Sequence, residues 1–130
     1  MKKKIKELTR AEEEVMQILW KLRKAFVKDL VEQFEPPKPA YNTVSTIIRI
    51  LEKKGFVSYK VYGNTYQYFP KVTKKDYSRA FLGNFVRKYF DNSYGCLVSF
   101  FAATENLSVK ELEEMKSLME VEIEKKKKND

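Results

Sequence analysis

The stretch that most constrains the fold runs from Tyr41 to Lys54 and is followed at once by Gly55. Apolar residues recur there at i, i+3, i+4 and i+7, which predicts a helix with one face in a core: Val44, Ile47, Ile48 and Leu51. The other face carries short hydrogen-bonding side chains and two cations: Asn42, Ser45, Thr46, Arg49 and Lys53. A face meant only for solvation usually mixes Glu with Lys, whereas these groups have the size that reaches base edges in a major groove. We interpret the stretch as a DNA-reading helix, with an ordinary amphipathic helix as the alternative while it is considered alone.

Two helices are predicted before this stretch. Thr9-Arg10-Ala11-Glu12 fits a capping box, which begins a helix near Arg10, and Val27 to Phe34 offers a short second helix. Three prolines end the second helix and stiffen the connection that follows, because proline removes a backbone donor: Pro36, Pro37 and Pro39. Two short helices, a turn and a third helix with a polar outer face form the helix-turn-helix pattern.

A β-hairpin is predicted directly after the third helix. Phe56 to Tyr62 and Thr65 to Phe69 are rich in strand-forming residues and flank Gly63-Asn64. Three helices followed by a hairpin predict a winged helix. We assign the hairpin to positioning on the sugar-phosphate backbone, through residues at its tip: Lys60, Tyr62, Asn64 and Thr65. Most of its aromatic side chains have a simpler role, which is packing on the three helices.

The charge distribution agrees with a nucleic-acid partner. The net charge is +8, and residues 1–72 hold 15 Lys and Arg against 8 Asp and Glu, whereas residues 73–130 hold 11 against 10. The basic excess lies in the half with the proposed reading helix, as a phosphate-binding surface requires. Solubility alone is the alternative, but it does not explain the asymmetry.

Residue types argue against several other classes of protein. The chain has no His and only one Cys, Cys96, which disfavours zinc chemistry, Ser-His or Cys-His catalysis and an internal disulfide. No apolar run is long enough to span a bilayer, and Lys2 to Lys4 are not followed by a signal-peptide core. We therefore expect a cytoplasmic protein without a metal or cofactor.

The second half of the chain predicts a helical domain. We place the domain boundary between residues 72 and 73, with a helix from there to about Phe90, an apolar segment over Tyr94 to Ala103, and a third helix opened by a capping box at Ser108. The lysines from Lys125 to Lys128 are expected to form a solvated, fraying end. The predicted fold is mainly α with a small β-hairpin: a winged-helix domain over residues 1–72 and a three-helix domain over residues 73–130.

These last 58 residues carry too many large apolar side chains to stand alone in water, and such surfaces are generally interfaces. We expect homodimerisation, because a two-fold dimer reads two inverted half-sites. Packing back onto the winged helix of the same chain is the alternative. The residues expected at the dimer interface are Phe81, Phe85, Tyr89, Leu97, Phe100, Phe101, Leu112, Met115, Leu118 and Met119.

Four segments together resemble a known family: LTRAEEEVMQILW, VKDLVEQF, YNTVSTIIRILEKKGFV and YQYFP. They are similar to the penicillinase and methicillin-resistance repressors, the BlaI/MecI group, which includes the copper-responsive CopY repressors. The similarity extends through nearly the whole chain. It implies a dimeric winged-helix repressor on a palindromic operator of β-lactamase-type or related genes, relieved by a membrane-bound sensor protease or by proteolysis that the sensor triggers.

By position, the reading-helix contacts of that family fall on Asn42, Thr43, Ser45, Thr46 and Arg49. Thr43 and Thr46 match the family, whereas Asn42 and Ser45 stand where those repressors commonly carry cations. The cleavage point of the family, between an Asn and a Phe, falls on Phe100-Phe101, so the Asn is missing here. The cysteine-rich tail of the copper-responsive members is also absent, which sets copper sensing aside.

The sequence therefore predicts a transcriptional repressor that occludes a promoter, with specificity carried by Arg49 and Asn42. The side chains expected to neutralise phosphates are Lys53, Lys54, Lys60 and the arm of Lys2, Lys3 and Lys4. A winged helix used as a protein-interaction module is the second reading. An enzyme is the third, and it is disfavoured because the carboxylates at residues 12–14 lie in a first helical turn, where they favour the helix dipole.

Overall fold

The computed structural model describes residues 5–129 and confirms the predicted fold class, which is mainly helical with one hairpin. The hairpin is a two-stranded antiparallel sheet. In chain order, the elements of this part of the chain are α1 (Arg10–Leu22), α2 (Val27–Glu32), α3 (Tyr41–Lys53), β1 (Val57–Tyr62), β2 (Thr65–Pro70), α4 (Lys74–Tyr89), α5 (Tyr94–Thr104) and α6 (Val109–Asn129).

Helix α1 begins at the predicted capping box. The Glu12 N–H donates to Thr9 Oγ1 at 3.2 Å, and the Thr9 N–H donates to Glu12 Oε1 at 3.0 Å. Two backbone donors that the first helical turn would leave without partners are thereby satisfied. Helix α2 begins at Val27 as predicted and ends at Glu32, two residues before the predicted end.

Helix α3 ends in a Schellman motif at Gly55. The Phe56 N–H donates to Leu51 O at 2.9 Å, and the Gly55 N–H donates to Glu52 O at 3.0 Å. The φ angle of Gly55 is 85°, in the left-handed region that glycine adopts without steric cost. Leu51 and Phe56 are both buried, so the turn that ends α3 is also fixed by the core.

The hairpin of β1 and β2, which we call the wing, has the predicted two-residue turn. Tyr62 pairs with Thr65, and Gly63 between them has a φ angle of 59°. Strand β2 is also hydrogen-bonded to the segment before α2. The Ala25 N–H donates to Tyr68 O at 2.9 Å, and the Tyr68 N–H donates to Ala25 O at 2.8 Å. The wing is therefore held against the helices by backbone as well as side-chain contacts.

One hydrophobic core lies under α3. Three of the four apolar positions predicted from the periodicity of α3 are fully buried, and Ile47 is partly buried. They pack with apolar residues of α1, α2 and the wing, so the opposite face of α3 points outward. Leading members of this core are Val15, Met16, Leu19, Leu30, Val44, Ile48, Leu51, Phe56 and Tyr68.

Tyr77, in the first half of α4, belongs to the same core. The Leu8 N–H donates to Tyr77 Oη at 3.0 Å, and the Tyr77 ring lies 5.9 Å from the Trp20 ring and 5.8 Å from the Phe56 ring. Burial raises the pKa of the Tyr77 hydroxyl, although the hydrogen bond from Leu8 opposes this rise. Trp20 donates from Nε1 to Val72 O at 2.9 Å, which joins α1 to the segment before α4.

The chain forms two compact units, and the division between them falls between Leu82 and Gly83, inside α4. The first half of α4 is grouped with the first unit because Tyr77 packs into its core. The functional boundary inferred from the sequence, between residues 72 and 73, lies at the start of the same helix and stays a prediction.

The second unit contains the end of α4 and the helices α5 and α6. Asp91 and Asn92 separate α4 from α5 with φ angles of 49° and 61°. Ser108 caps α6, since its Oγ accepts from the Glu111 N–H at 3.1 Å, which confirms the second predicted capping box. Across residues 5–129, no helix has both the length and the apolar character needed to cross a bilayer.

The last lysines are exposed to solvent, as predicted, and α6 continues through them to Asn129. Lysines at a helix C-terminus are favourable to the helix dipole. Two of them also lie near glutamates one turn earlier, with Lys125 Nζ 3.5 Å from Glu122 Oε1 and Lys127 Nζ 3.8 Å from Glu124 Oε1.

Candidate nucleic-acid interface

The polar residues predicted to read bases lie together on the outer face of α3. We call this set the ridge: Asn42, Thr43, Ser45, Thr46 and Arg49. Four of its side chains are exposed and Ser45 is half-buried, whereas Val44 and Ile48 on the opposite face are fully buried. The helical period alone separates these two faces, so the packing that stabilises α3 also turns the ridge outward.

Hydrogen bonds within α3 orient two members of the ridge. Arg49 donates from Nε to Ser45 O at 3.3 Å and from Nη2 to Ser45 Oγ at 3.3 Å. These bonds use two of the five guanidinium N–H groups, which leaves others for an external acceptor. Thr46 donates from Oγ1 to Asn42 O at 2.9 Å, so its hydroxyl proton is used within the helix while its oxygen and methyl group face outward.

A cleft of about 610 Å³ lies between the ridge, the wing and the start of α2. Ser45 and Arg49 line it from α3, and Asn64 and Thr65 line it from the turn of the wing. The structure therefore brings Ser45 and Arg49 of the ridge together with Asn64 and Thr65 of the wing. The other predicted contacts of the ridge and the wing do not line this cleft: Asn42, Thr43, Thr46, Lys60 and Tyr62.

Lys28 and Tyr41 also line this cleft, although neither was predicted from the sequence as a contact residue. Both side chains are exposed, and Tyr41 is the first residue of α3. The first turn of α2 lies beside α3, across the cleft. A cation in that turn, Lys28, was therefore the feature of the sequence that could have indicated a phosphate contact.

The remaining wing residues predicted to contact the backbone are also exposed. Lys60 lies on β1, and Tyr62 and Thr65 flank the turn. Thr65 donates from Oγ1 to Tyr62 O at 2.8 Å, which tightens the turn. Lys53 is exposed at the last position of α3. Lys2, Lys3 and Lys4 lie outside the described residues.

Lys54 has a partner inside the protein. Its Nζ lies 2.7 Å from Oε1 of Glu12, and the two side chains are 25% and 7% exposed. Burial works against ionisation of Glu12, but the hydrogen bonds from Lys54 and Thr9 outweigh it and hold the pKa of this carboxyl below its usual value. The Lys54 ammonium thus joins the end of α3 to the start of α1, so Lys54 is not among the proposed phosphate contacts.

Two of the three carboxylates considered for an enzyme, Glu12 and Glu14, have partners within the protein. Glu12 bonds to Thr9 and Lys54, and Glu14 lies 3.5 Å from Arg10 in an exposed ion pair. Among residues 5–129, no three His, Cys, Asp or Glu side chains are grouped so as to hold a metal ion.

The second unit carries a long apolar groove between α5 and α6, of about 600 Å³. Half of the residues predicted for dimerisation line it: Leu97, Phe101, Leu112, Met115 and Met119. The other five are Phe81, Phe85, Tyr89, Phe100 and Leu118; all are exposed, from 37% for Phe85 to 70% for Tyr89, and none lines the groove. The predicted cleavage point falls inside α5, where the side chains of Phe100 and Phe101 are 49% and 40% exposed.

An outward polar helix beside a hairpin, carried on a three-helix core, defines a DNA-binding protein of the winged-helix class. Comparison with known proteins supports this class. A solution structure of the DNA-binding domain of the repressor BlaI matches with a TM-score of 0.50 and 28% identity, over 59% of this chain and 94% of that one. The chain belongs to the penicillinase repressor family, whose model matches residues 8–121.

Two relatives are similar to this chain over nearly their full length. The methicillin resistance regulatory protein MecI of Staphylococcus aureus strain N315 is 32% identical over 120 residues, which cover 92% of this chain and 98% of MecI. The penicillinase repressor of Bacillus licheniformis is 25% identical over 126 residues, which cover 96% of this chain and 98% of that repressor. The resemblance inferred from four sequence segments is thereby confirmed.

Proposed function

We propose that this chain is a cytoplasmic repressor without catalytic activity of its own, which binds a palindromic operator as a two-fold dimer and occludes a promoter. The α3 ridge enters the major groove and the wing follows the sugar-phosphate backbone. The observation that carries the proposal is the cleft that α3 shares with the wing. Base-reading and backbone-contacting side chains face the same space there, as docking on a duplex requires.

Within the ridge, we assign specificity mainly to Arg49 and Asn42. Arg pairs with guanine and Asn with adenine through two hydrogen bonds each, and such a pair contributes about 1–3 kcal/mol of discrimination. Arg49 is already oriented by Ser45, so less conformational freedom is lost when it binds. Thr43, Ser45 and Thr46 complete the surface that faces the bases.

Backbone contacts are assigned to cations and hydrogen-bond donors around the ridge. Lys53 extends from the end of α3, and Lys60, Tyr62, Asn64 and Thr65 extend from the wing. Lys28 joins this set because it lines the cleft from the opposite side. The arm of Lys2, Lys3 and Lys4 is retained from the sequence analysis as a further phosphate contact.

Dimerisation is assigned to the second unit. The α5–α6 groove is almost wholly apolar and open to water, and aromatic side chains of α4 and α5 outside the groove are also exposed. Surfaces of this kind in a small protein are generally covered by a partner. A second copy is the occupant that a palindromic operator favours, since a two-fold dimer presents two equivalent reading helices.

The family resemblance suggests relief of repression by proteolysis at Phe100-Phe101, by a membrane-bound sensor or by a protease that it triggers, with Phe100 in place of the Asn of the family cleavage point. Phe101 lines the groove, so cleavage of the chain there would disrupt the proposed dimer surface. Because the bond lies within α5, the helix would have to open locally before cleavage. Incubation with membranes that contain the sensor, followed by mass spectrometry, tests the cleavage position.

A gel-shift assay on genomic fragments, followed by footprinting, tests the repressor proposal. We expect retention of a small number of fragments that contain inverted repeats, with affinity that falls steeply as salt increases. Equal binding to all fragments would contradict a specific operator. Loss of all DNA binding in the presence of a stable dimer would favour a protein-interaction module.

A further inference from the structure

Ile50 is an exposed aliphatic residue of α3 for which the sequence predicted no contact. Its side chain is 38% exposed, whereas the remaining aliphatic residues of the helix are buried or half-buried: Val44, Ile47, Ile48 and Leu51. Those four supply the apolar period that holds α3 against the core. Ile50 lies outside this period, so its apolar surface adds little to the stability of the fold.

Ile50 is aligned with two threonines of the ridge. At roughly 100° per residue, it lies about 40° from Thr46 and about 20° from Thr43 around the helix axis. All three side chains are exposed, and we call them the methyl row: Thr43, Thr46 and Ile50. None of the three lines the cleft beside the wing, so the row is separate from the part of the ridge that contains Ser45 and Arg49.

The Thr46 side chain presents carbon to the outside and keeps its hydroxyl proton within the helix. Its Oγ1 donates to Asn42 O at 2.9 Å, so this proton is not available to a base. The methyl group of Thr46 faces outward one turn before Ile50. The two residues therefore form a small patch of aliphatic carbon on a largely polar face.

Cations beside this patch indicate what covers it. Arg49 precedes Ile50, Lys53 follows it by one turn, and both are exposed. An apolar protein surface over Ile50 would remove water from these cations without replacing it, which is unfavourable. A nucleic-acid duplex suits both features, because phosphates neutralise the cations and the base edges in the major groove include an apolar group.

That apolar group is the methyl group at C5 of thymine. It distinguishes a T·A pair from the other base pairs in the major groove, and it forms no hydrogen bond. Arginine and asparagine read hydrogen-bonding groups and do not detect it. An aliphatic side chain recognises the methyl group by contact, because both are removed from water together.

We propose that Ile50, with Thr46 beside it, contacts the methyl group of one thymine in each half-site of the operator. The inference rests on the proposed function and deepens it, because it names a base that the ridge selects without a hydrogen bond. Ile50 is then a specificity-determining residue on the same helix as Arg49 and Asn42.

Uracil substitution in the duplex tests the contact without changing the protein. Deoxyuridine lacks the C5 methyl group and keeps the pairing of thymine with adenine. Duplexes that the chain binds tightly are selected from a random synthetic pool, and each thymine is replaced in turn by deoxyuridine. We expect one position in each half-site at which the replacement weakens binding about fourfold, the effect of one buried methyl group. Full affinity after replacement at every thymine would overturn the proposal.

Ile50→Ala tests which residue makes the contact. Alanine is smaller than isoleucine and favourable in a helix, so this exchange at an exposed position should leave the fold intact. At the position identified with deoxyuridine, the variant should bind the thymine and uracil duplexes equally, whereas the original chain should prefer thymine about fourfold. An unchanged preference in Ile50→Ala would assign the methyl group to another residue and overturn the proposal.

Val61→Ala is the matched control. Val61 is 61% exposed on β1, so the exchange also removes aliphatic carbon from the surface of the first unit, but outside α3. Because the wing is assigned to the sugar-phosphate backbone, this variant should keep the preference of the original chain for thymine. Loss of the preference in both variants would indicate a general change in docking and would contradict a specific role for Ile50.

Gel shifts on genomic fragments separate this inference from the proposed function. If Ile50-dependent selection of thymine is found with the synthetic duplexes and no genomic fragment is retained, the contact stands and the repressor proposal fails. If genomic fragments are retained and uracil is tolerated at every position, the contact is wrong and the repressor proposal stands. A chain that binds no duplex would overturn both.

Discussion

Arg49 is the residue on which the proposed specificity depends most directly. Its guanidinium is held by Ser45 on the outer face of α3 and lines the cleft shared with the wing. We expect Arg49→Ala to relax preference at one base pair in each half-site, with a loss of about 1–3 kcal/mol of discrimination there. Binding titrations with operators that carry single substitutions measure this loss. An equal loss of affinity for operator and random DNA would contradict the assignment.

Lys53 and Lys54 are adjacent in sequence but differ in role. We expect Lys54→Ala to lower the free energy of unfolding by about 1–3 kcal/mol, because the buried carboxylate of Glu12 would lose its cation. Lys53→Ala, the matched control, should change stability by less than about 0.5 kcal/mol. It should instead reduce the slope of log affinity against log salt by about 0.9 for its lost phosphate contact. Urea unfolding and salt titrations distinguish the two, and equal stability of both variants would contradict the structural role of Lys54.

The Glu12 carboxyl also predicts a dependence of stability on pH. Its pKa in the folded protein is lowered, so its contribution is fully present above the unfolded value of about 4.3. That contribution is lost as the pH falls through the folded value, because the unfolded chain takes up a proton more readily. Urea unfolding between pH 7 and pH 3 should show a smaller loss of stability for Glu12→Gln than for the unsubstituted chain. Parallel pH profiles would contradict this expectation.

At the scale of elements, local signals in the sequence predicted most of the structure. The period of α3, both capping boxes and the Gly63 turn depend on residues close to one another in the chain, and the structure has each of them. The Lys54–Glu12 pair joins residues 42 positions apart, and periodicity carries no information about such a contact. The sequence predicted a solvated, fraying end at Lys125 to Lys128, whereas α6 continues to Asn129, where lysines are favourable to the helix dipole.

The turn after α3 offers a test of how that helix ends. An added Cβ at Gly55 meets no atom within 4 Å, so Gly55→Ala changes backbone strain alone. Because the φ angle is 85°, we expect a loss of stability of about 1–2 kcal/mol. Gly83→Ala is the matched control: it lies in α4, its Cβ would also meet no atom within 4 Å, and the exchange should stabilise the helix by about 0.5–1 kcal/mol. Thermal unfolding of both variants measures the difference, and losses of equal size would contradict the strain argument.

At the scale of the whole molecule, the proposed dimer depends on the α5–α6 groove. Met119 lines this groove and is 50% exposed, so Met119→Glu should leave the chain folded and place a charge on the association surface. We expect sedimentation to show dissociation at micromolar concentration, with a corresponding loss of operator affinity. Val109→Glu, at a 72% exposed position outside the groove, should keep the association of the original chain. A Met119→Glu chain that stays associated would contradict the role of the groove.

The association surface was less predictable from the sequence than the helices themselves. The sequence shows which residues are apolar, but it does not show where a groove remains between packed helices. It placed ten residues in one interface, and the structure brings five of them into the groove. Leu118 lies on another side of α6, which the helical period alone could have indicated.

The backbone bridge between Ala25 and Tyr68 has a consequence for solubility. Exposed sheet edges are templates on which foreign chains add as extra strands, a common start of fibrillar aggregation. Here β2 pairs with β1 on one edge, and its other edge is interrupted at Tyr68, which is bridged to Ala25. The outer edge of β1 is six residues long and includes Lys60, and a short strand with a charge discourages such addition. The bridge on one edge and the charge on the other therefore both disfavour the addition of a foreign strand to the hairpin.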